Sequence, residues 1–379
     1  MMPTNKRIEV VDALRGFAIL CILLLHCSNH FLYGTMPKES YSWLNDLNNS
    51  TQEVLYFLFE GKAFGIFALL FGFTFGIQYF KAQEKSLDFR LRFLWRMVLL
   101  AGFGIINAAF FAGGDPLVFM AIVAVVLPLV ARLNSKLLLL IAFLLFLQPV
   151  ELYKAILLWI NPSYELVNYT DQFYNLLPQP LEEGAFFPMV WNNITSGLKA
   201  CLAWAFEYGR VSQTPALYLI GFLLYKHHVF SNIHHTTWDK LTIGTLITTP
   251  VLYIVKFISN TNATESFKIA TTMWYNLSAI FLIIALFVLL FRTSFFQKLT
   301  SMFRIYGKMS LTNFVLQSLI GTFLFYPYGL HLSRYCGIFS SVLIGIAIAI
   351  LQIIFSFWWL KKHQQGPLEY LWHKATYVR

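Results

Sequence analysis

The chain is short of charge. Of its 379 residues only 12% are charged, 18 acidic and 28 basic, while 58% are hydrophobic. An ordinary solvated globular surface needs about a quarter of its residues charged, so a soluble single-core protein is excluded. Cysteine is scarce as well. Cys21, Cys27, Cys201 and Cys336 each lie in or beside an apolar run, with no C-x-x-C spacing. That pattern gives neither a zinc ribbon nor a disulfide framework, and buried free thiols are the expectation. No internal repeat or low-complexity tract is found. Residues 161–196 contain no Lys or Arg at all, although they carry Glu165, Asp171, Glu182 and Glu183.

What is present is a succession of long apolar runs. Ten predicted spanning segments cover roughly 13–33, 55–80, 93–112, 117–133, 137–160, 213–230, 241–258, 274–292, 311–331 and 336–360. The expected fold is all-α: a polytopic membrane protein with about ten transmembrane helices, organised as a single domain. Residues 13–160 form its first five helices, 161–210 an external connection, and 211–379 the last five helices with a tail. Residues 191–210 are apolar but interrupted by Lys199, Glu207 and Arg210, and read as a re-entrant or interfacial helix.

The formal net charge of +10 resembles a nucleic-acid footprint, but its distribution argues otherwise. Nineteen Lys and Arg fall in or beside the connections on one side of this topology, against Lys38, Lys268 and Arg334 on the other. The positive-inside rule then places both termini in the cytoplasm and removes any need for a nucleic-acid partner. Lys6 and Arg7 precede the first run like the start of a signal peptide. Asp12 and Arg15 interrupt it, and no A-x-A cleavage site follows, so a retained helix is expected.

Ionisable groups within such helices are costly and mark functional candidates. The first helix, VDALRGFAILCILLLHCSNHF (11–31), carries four. At 100° per residue, Asp12, Arg15, His26 and His30 share one stripe, with Arg15 and His26 about 16 Å apart along the axis. Guanidinium binds phosphate through a bidentate fork, and imidazole accepts and returns a proton near neutral pH. The same spacing also suits an Asp12–Arg15 interfacial pair and a histidine bonded to a neighbouring helix. A metal held by His26 and His30 lacks a visible third ligand. Glu60 and Lys62 in EGKAFGIFALLFGFTFG are two residues apart, so each needs its own partner or a watered cavity. The glycines of that run permit close helix packing. Asp115 sits in the turn AGGDPL (112–117), at the predicted outer mouth. In GKMSLTNFVLQS (307–318), Ser310 is placed to cap the helix, while Asn313 and Gln317 share a face at i,i+4. They suit either interhelical hydrogen bonds or a polar pathway.

The opening helix, the FALLFG run, the GGD turn, GKMSLTNFVLQS and the tail GPLEYLWHKATY (366–377) occur in this order. Together they resemble the YeiB-like bacterial membrane proteins, whose C-terminal half is classed as a domain of unknown function. The start of the chain also looks like a wider group of transmembrane acyltransferases, the OafA-like O-acetyltransferases and the heparan glucosaminide N-acetyltransferase. In the OafA-like pattern an arginine near the helix start is followed eleven residues later by an essential histidine, the separation of Arg15 and His26. That group's second arginine is absent here, with Asp12 and Ala18 at the flanking positions. YeiB-like proteins commonly carry Asn where this chain has His26.

The resemblance implies transfer of an acyl group from cytoplasmic acyl-CoA, acetyl-CoA first, to an extracytoplasmic glycan or lipid-linked sugar across a bacterial cytoplasmic membrane. It implies His26 as base, Asp12 orienting Arg15, and Arg15, Arg92 and Arg96 binding the CoA phosphates. His30, Glu60, Lys62, Asp115, Asn313 and Gln317 would line the substrate path. The alternatives are a transporter or flippase of a small polar or lipidic solute, and a non-catalytic membrane partner. No metal is called for, and apolar outer faces permit a homo-oligomer in the lipid.

Overall fold

A computed structural model describes residues 7–32, 37, 41–178 and 182–377. Lys6, Lys38 and Arg379, three of the residues behind the charge asymmetry, lie outside them. Among the described residues there are helices and no strand. In chain order they are α1 (Glu9–Ser28), α2 (Ser42–Phe59), α3 (Lys62–Glu84), α4 (Arg90–Phe110), α5 (Pro116–Ala124), α6 (Val126–Val130), α7 (Ser135–Phe146), α8 (Pro149–Ile160) and α9 (Tyr169–Tyr174). The chain continues through α10 (Phe186–Asn192), α11 (Leu198–Glu207), α12 (Arg210–Lys226), α13 (Thr236–Asn262), α14 (Glu265–Phe291) and α15 (Ser294–Leu299). It ends with α16 (Ser301–Lys308), α17 (Ser310–Phe325), α18 (Ile338–Leu360) and α19 (Pro367–Thr376).

Helices occupy all ten predicted segments, but among the described residues seven stretches are long and apolar enough to cross a membrane. They are α1 with the turn after it, the α2–α3 stretch, α4, the α7–α8 stretch, α13, α14 and α18. The chain is a multi-pass helical membrane protein. The α5–α6 stretch and α17 are apolar but shorter, and α12 has 17 residues.

The boundaries move for local reasons. The run predicted over 55–80 breaks at Glu60–Gly61, where Gly61 takes φ +72°, a left-handed conformation that glycine reaches without a Cβ clash. The run over 137–160 is interrupted by Gln148, also left-handed, and restarts on Pro149, which needs no N–H at the first turn. Residues 186–207 form α10, a π-helical turn over Asn193–Gly197 and α11.

Packing follows small residues. α3 lies along α12, where a Cβ on Gly72 would come within 2.1 Å of the Tyr218 carbonyl oxygen. α1 crosses α16 as closely: a Cβ on Gly16 would sit 2.0 Å from the Phe303 carbonyl oxygen. The main core joins Leu14 and Ala18 of α1 with Phe73 and Phe75 of α3, Phe222 of α12 and Phe314 of α17. A second cluster gathers Leu23, Cys27 and Phe31 against Phe111, Phe325 and Ile348. At the other end of α1, Arg7 Nη2 donates to the Gln364 carbonyl at 3.4 Å, so both ends of the described chain meet at one end of the bundle.

Candidate functional site

The end of the bundle where the chain begins and finishes holds a cavity of about 1140 Å³. Its walls come from the first turns of α1, α3 from Phe67 onward, the first half of α4, α5, the α16–α17 junction and the tail. Arg15 is fixed there by two neighbours: Nη1 donates to Asp12 Oδ1 at 3.1 Å, and Nη2 donates to the Thr74 hydroxyl on α3. Arg7 Nη1 lies 4.0 Å from the other Asp12 oxygen. Arg7, Lys81, Arg96 and Lys308 also line the cavity, with Asp12, Glu84 and Glu369 as its acids. Cations therefore outnumber acids around a largely aromatic wall, the electrostatics of an anion-binding chamber.

The tail forms the cavity's rim. Trp372 on α19 donates its indole N–H to the Arg96 carbonyl at 3.0 Å, and the Arg96 guanidinium lies 4.2 Å over the Trp372 ring. Glu369 accepts from the backbone N–H groups of Leu311 and Thr312 at 2.7 and 3.1 Å, and from the Thr312 hydroxyl. It thus caps α17, the role the sequence suggested for Ser310. The residue before α17, Met309, makes no side-chain cap bond, and the cap comes instead from a remote carboxylate. Burial raises the Glu369 carboxyl above the usual carboxylate range, against the pull of these donors.

Arg15 and His26 lie on α1 as expected, but in different surroundings. Arg15 lines the cavity and His26 does not. His26 is 8% exposed, and its Nδ1 has no hydrogen-bond partner. Phe314 of α17 joins the two environments: it lines the cavity and stands edge-on to His26, with ring centroids 6.4 Å apart. On the far side, Phe111 lies 4.7 Å from His26 and 4.9 Å from His30. His30 is not on the α1 stripe. The helix ends at Ser28, whose hydroxyl turns back to the Leu25 carbonyl and to Asn29, and His30 begins a 3-10 turn. Its ring still comes within 5.4 Å of His26.

The GGD turn folds against the same region. Asp115 is fully buried and caps α5 by accepting from the Leu117 N–H. It also accepts from the Asn107 side chain, whose amide is 3.2 Å from the Ser318 hydroxyl of α17. Asn107 Oδ1 and both side-chain amide atoms of Gln317 are buried without a partner among the described residues. Such atoms in a bundle core cost free energy and are the positions where a polar ligand is accommodated.

The predicted site residues therefore divide. Asp12, Arg15 and Arg96 meet at the cavity. Arg92 lies off it, its guanidinium 4.9 Å over the Tyr377 ring. His26, His30 and Asp115 gather beyond Phe314. Asn313 belongs to a satisfied network: it donates to the Tyr306 carbonyl and the Ser356 hydroxyl, both at 3.0 Å, and its own carbonyl accepts from Gln352. Glu60 and Lys62 stand at the start of α3 and neither lines the cavity, Glu60 being exposed and Lys62 buried. Sequence reasoning missed Thr74, Lys308, Phe314, Asn107 and Glu369. Thr74 alone had a signal, a lone hydroxyl within the FTFG run.

Comparison with known proteins gives names without an activity. Residues 224–379 match a family described as a protein of unknown function, DUF418. The uncharacterized protein YxaH of Bacillus subtilis is 27% identical over 99% of this chain and 95% of its own length. An uncharacterized 39.9 kDa protein of the amylase 3′ region in Bacillus acidopullulyticus is 26% identical over the same shares. YeiB of Escherichia coli, also named as uncharacterized, is 42% identical over 18% of each chain. These matches support a YeiB-like family of uncharacterized proteins. No solved structure matches the chain.

Proposed function

We propose that this protein is a membrane acyltransferase, taking an acyl group from acyl-CoA, acetyl-CoA foremost, and passing it to a hydroxyl or amine of a glycan or lipid-linked sugar. The observation that carries this reading is the cation-lined cavity that begins at Arg15 and stops at Phe314, with His26 directly behind that ring. Its volume exceeds the range of about 300–1,000 Å³ usual for small-ligand pockets, which suits a long nucleotide-bearing donor. Arg15, held by Asp12 and Thr74, would clamp a phosphate, with Arg96 and Lys308 beside it. Arg92 is better assigned to holding the tail than to the donor.

In this scheme the thioester reaches past Phe314 toward His26. His26 takes the proton of the acceptor hydroxyl as its oxygen attacks the thioester carbonyl. The carbon–sulfur bond breaks, and the same proton passes to the departing CoA sulfur. The cavity then faces the cytoplasm of a bacterium, both termini lie on that side, and the acceptor arrives from the His30 and Asp115 end across a bundle of about ten spans.

The test is direct. Protein purified in lipid should bind acetyl-CoA, and Arg15→Ala should weaken that binding about tenfold, the worth of a lost charge-assisted phosphate contact. His26→Ala should keep the binding and lose transfer by about a hundredfold or more, the usual yield of a general base. Transfer unchanged in His26→Ala defeats the catalytic assignment. A second reading, transport of a small polar solute, draws on Gln317 and Asn107, which bury polar atoms without a partner in the described protein. It is favoured if acyl-CoA does not bind.

A further inference from the structure

A second polar centre lies at the other end of the bundle. α3 runs from Lys62 to Glu84, and Lys81 and Glu84 line the large cavity. Lys62 is therefore about 28 Å from Lys81 along the helix axis, and five residues before Phe67, the first α3 residue of the cavity wall. Beside it stands Arg210, the first residue of α12, 6% exposed. Its guanidinium lies beside the edge-to-face pair Phe64 and Trp204, 5.5 and 5.2 Å from their centroids. Nη1 donates to Gln213 at 2.6 Å, while the buried Nε has no hydrogen-bond partner. Nη2 makes no hydrogen bond within the described protein, and no carboxylate there lies within ion-pair distance of Arg210.

Nη2 instead faces the side-chain amide of Asn276 on α14, itself 4% exposed and unbonded within the described protein. The two nitrogens converge over Gly61: a Cβ there would lie 3.0 Å from Arg210 Nη2 and 2.4 Å from Asn276 Nδ2. Only a glycine lets these two donors close on the α2–α3 turn at the same point. Charge around it is unbalanced. Lys62 Nζ donates to the Tyr56 and Phe57 carbonyls at 3.3 and 2.7 Å, so it contributes field rather than a free donor. Lys62 and Lys256 both lie over the Tyr275 ring, at 5.0 and 5.3 Å. Against these three cations, Glu60 is the acid that acts on Lys62 and Arg210 among the described residues.

We infer that Arg210, Asn276 and Gly61 form a phosphate-binding site at this end of the protein. A guanidinium whose Nε and Nη2 make no bond within the described protein, with an amide donor beside it, forms a fork for an oxyanion. The local excess of two positive charges suits a phosphate, near two negative charges at neutral pH, better than a singly charged carboxylate. The inference stands apart from acyl transfer, since it uses none of the same residues.

The experiment uses the full chain in dodecyl maltoside micelles, which carry no phosphate. Inorganic phosphate in one arm, and phosphatidic acid mixed into the micelles in the other, are titrated at fixed ionic strength while the thermal unfolding midpoint is followed. The midpoint should rise in at least one arm, and which arm identifies a free phosphate or a lipid headgroup. Arg210→Lys, which keeps the charge but loses the fork, and Asn276→Ala should each weaken the protection about tenfold. Arg15→Ala removes only protection that arises in the large cavity and should leave unchanged the part that Arg210→Lys and Asn276→Ala remove. The inference is overturned if neither probe protects the wild type, leaving Arg210 a packing residue beside two rings. It is equally overturned if Asn276→Ala protects as well as wild type while Arg15→Ala does not.

Discussion

α1 and α13 are both long apolar helices, and the protein uses them in opposite ways. Of the most apolar stretch, 67% is buried inside the protein for α1 and 11% for α13. On α13 the residues that turn inward are Trp238, Thr242, Thr245 and Ser259, while Ile243, Ile247, Val251, Ile254 and Ile258 face out. On α1, Asp12 and His26 are buried with Leu14, Ala18 and Leu23. Within lipid no hydrophobic force draws one helix onto another, so small and polar residues select the interior face and aliphatic residues the lipid face. Hydropathy therefore identifies which segments cross, whereas polarity and small size identify which face turns inward.

The sharpest way to break this contrast is to enlarge one glycine on each helix. Gly16→Leu on α1 must displace the Phe303 backbone, so a loss of about 3 kcal/mol or outright misfolding is expected. Gly244→Leu on α13 meets nothing within 4 Å and should change stability by less than about 1 kcal/mol, toward greater stability through helix propensity. Thermal unfolding of the two variants in the same detergent decides it; equal losses would erase the distinction between the helices.

Hydrogen bonds extend the comparison. Asn313→Leu takes the amide away from the Tyr306 carbonyl and the Ser356 hydroxyl, while Gln352 keeps its bond to the residue 313 backbone carbonyl, and should cost about 2 kcal/mol. Ser278→Ala, which faces Thr248 and Thr249 across the peripheral α13–α14 pair, should cost about 0.6 kcal/mol, the average for such bonds in a membrane. A reversed order in chemical unfolding would show that the peripheral pair is held as firmly as the core.

The smallest effect concerns the tail. The folded Glu369 carboxyl titrates above its unfolded value, so the folded state holds its proton more tightly. Its contribution to docking α19 is complete at pH below the ordinary carboxylate value and declines as pH rises through the raised one. Hydrogen exchange across α19 should quicken modestly over that interval in the wild type. Glu369→Gln should flatten the trend, and a variant that retains it would assign the effect to another group.

The sequence was most readable where a partner lies close along the chain. Asp12 and Arg15, three residues apart on one helix, form the expected pair at 3.1 Å. The placing of Arg15 and His26 on one helix also follows from period alone. The end of α1 did not follow, because Ser28 and Asn29 look like polar interruptions of a continuing run. The stop is reinforced from afar by Tyr326, whose hydroxyl donates to the His30 carbonyl at 3.0 Å. Asn313 and Gln317 are alike in spacing, yet one is fully bonded and the other has no partner among the described residues.

By itself, then, the sequence determined that this is a helical multi-pass membrane protein and which of its residues are costly to bury. Hydropathy and charge are properties of short windows, readable without a partner. Only the tertiary structure decided that Arg15 opens on a cavity, that Phe314 stands between it and His26, and that Glu369 caps a helix begun 59 residues earlier. It alone brought Arg210 to Asn276 over Gly61. Each of those facts pairs groups from distant helices. In a bilayer, close packing and the need to satisfy buried donors select such pairs, and neither is encoded in any single segment.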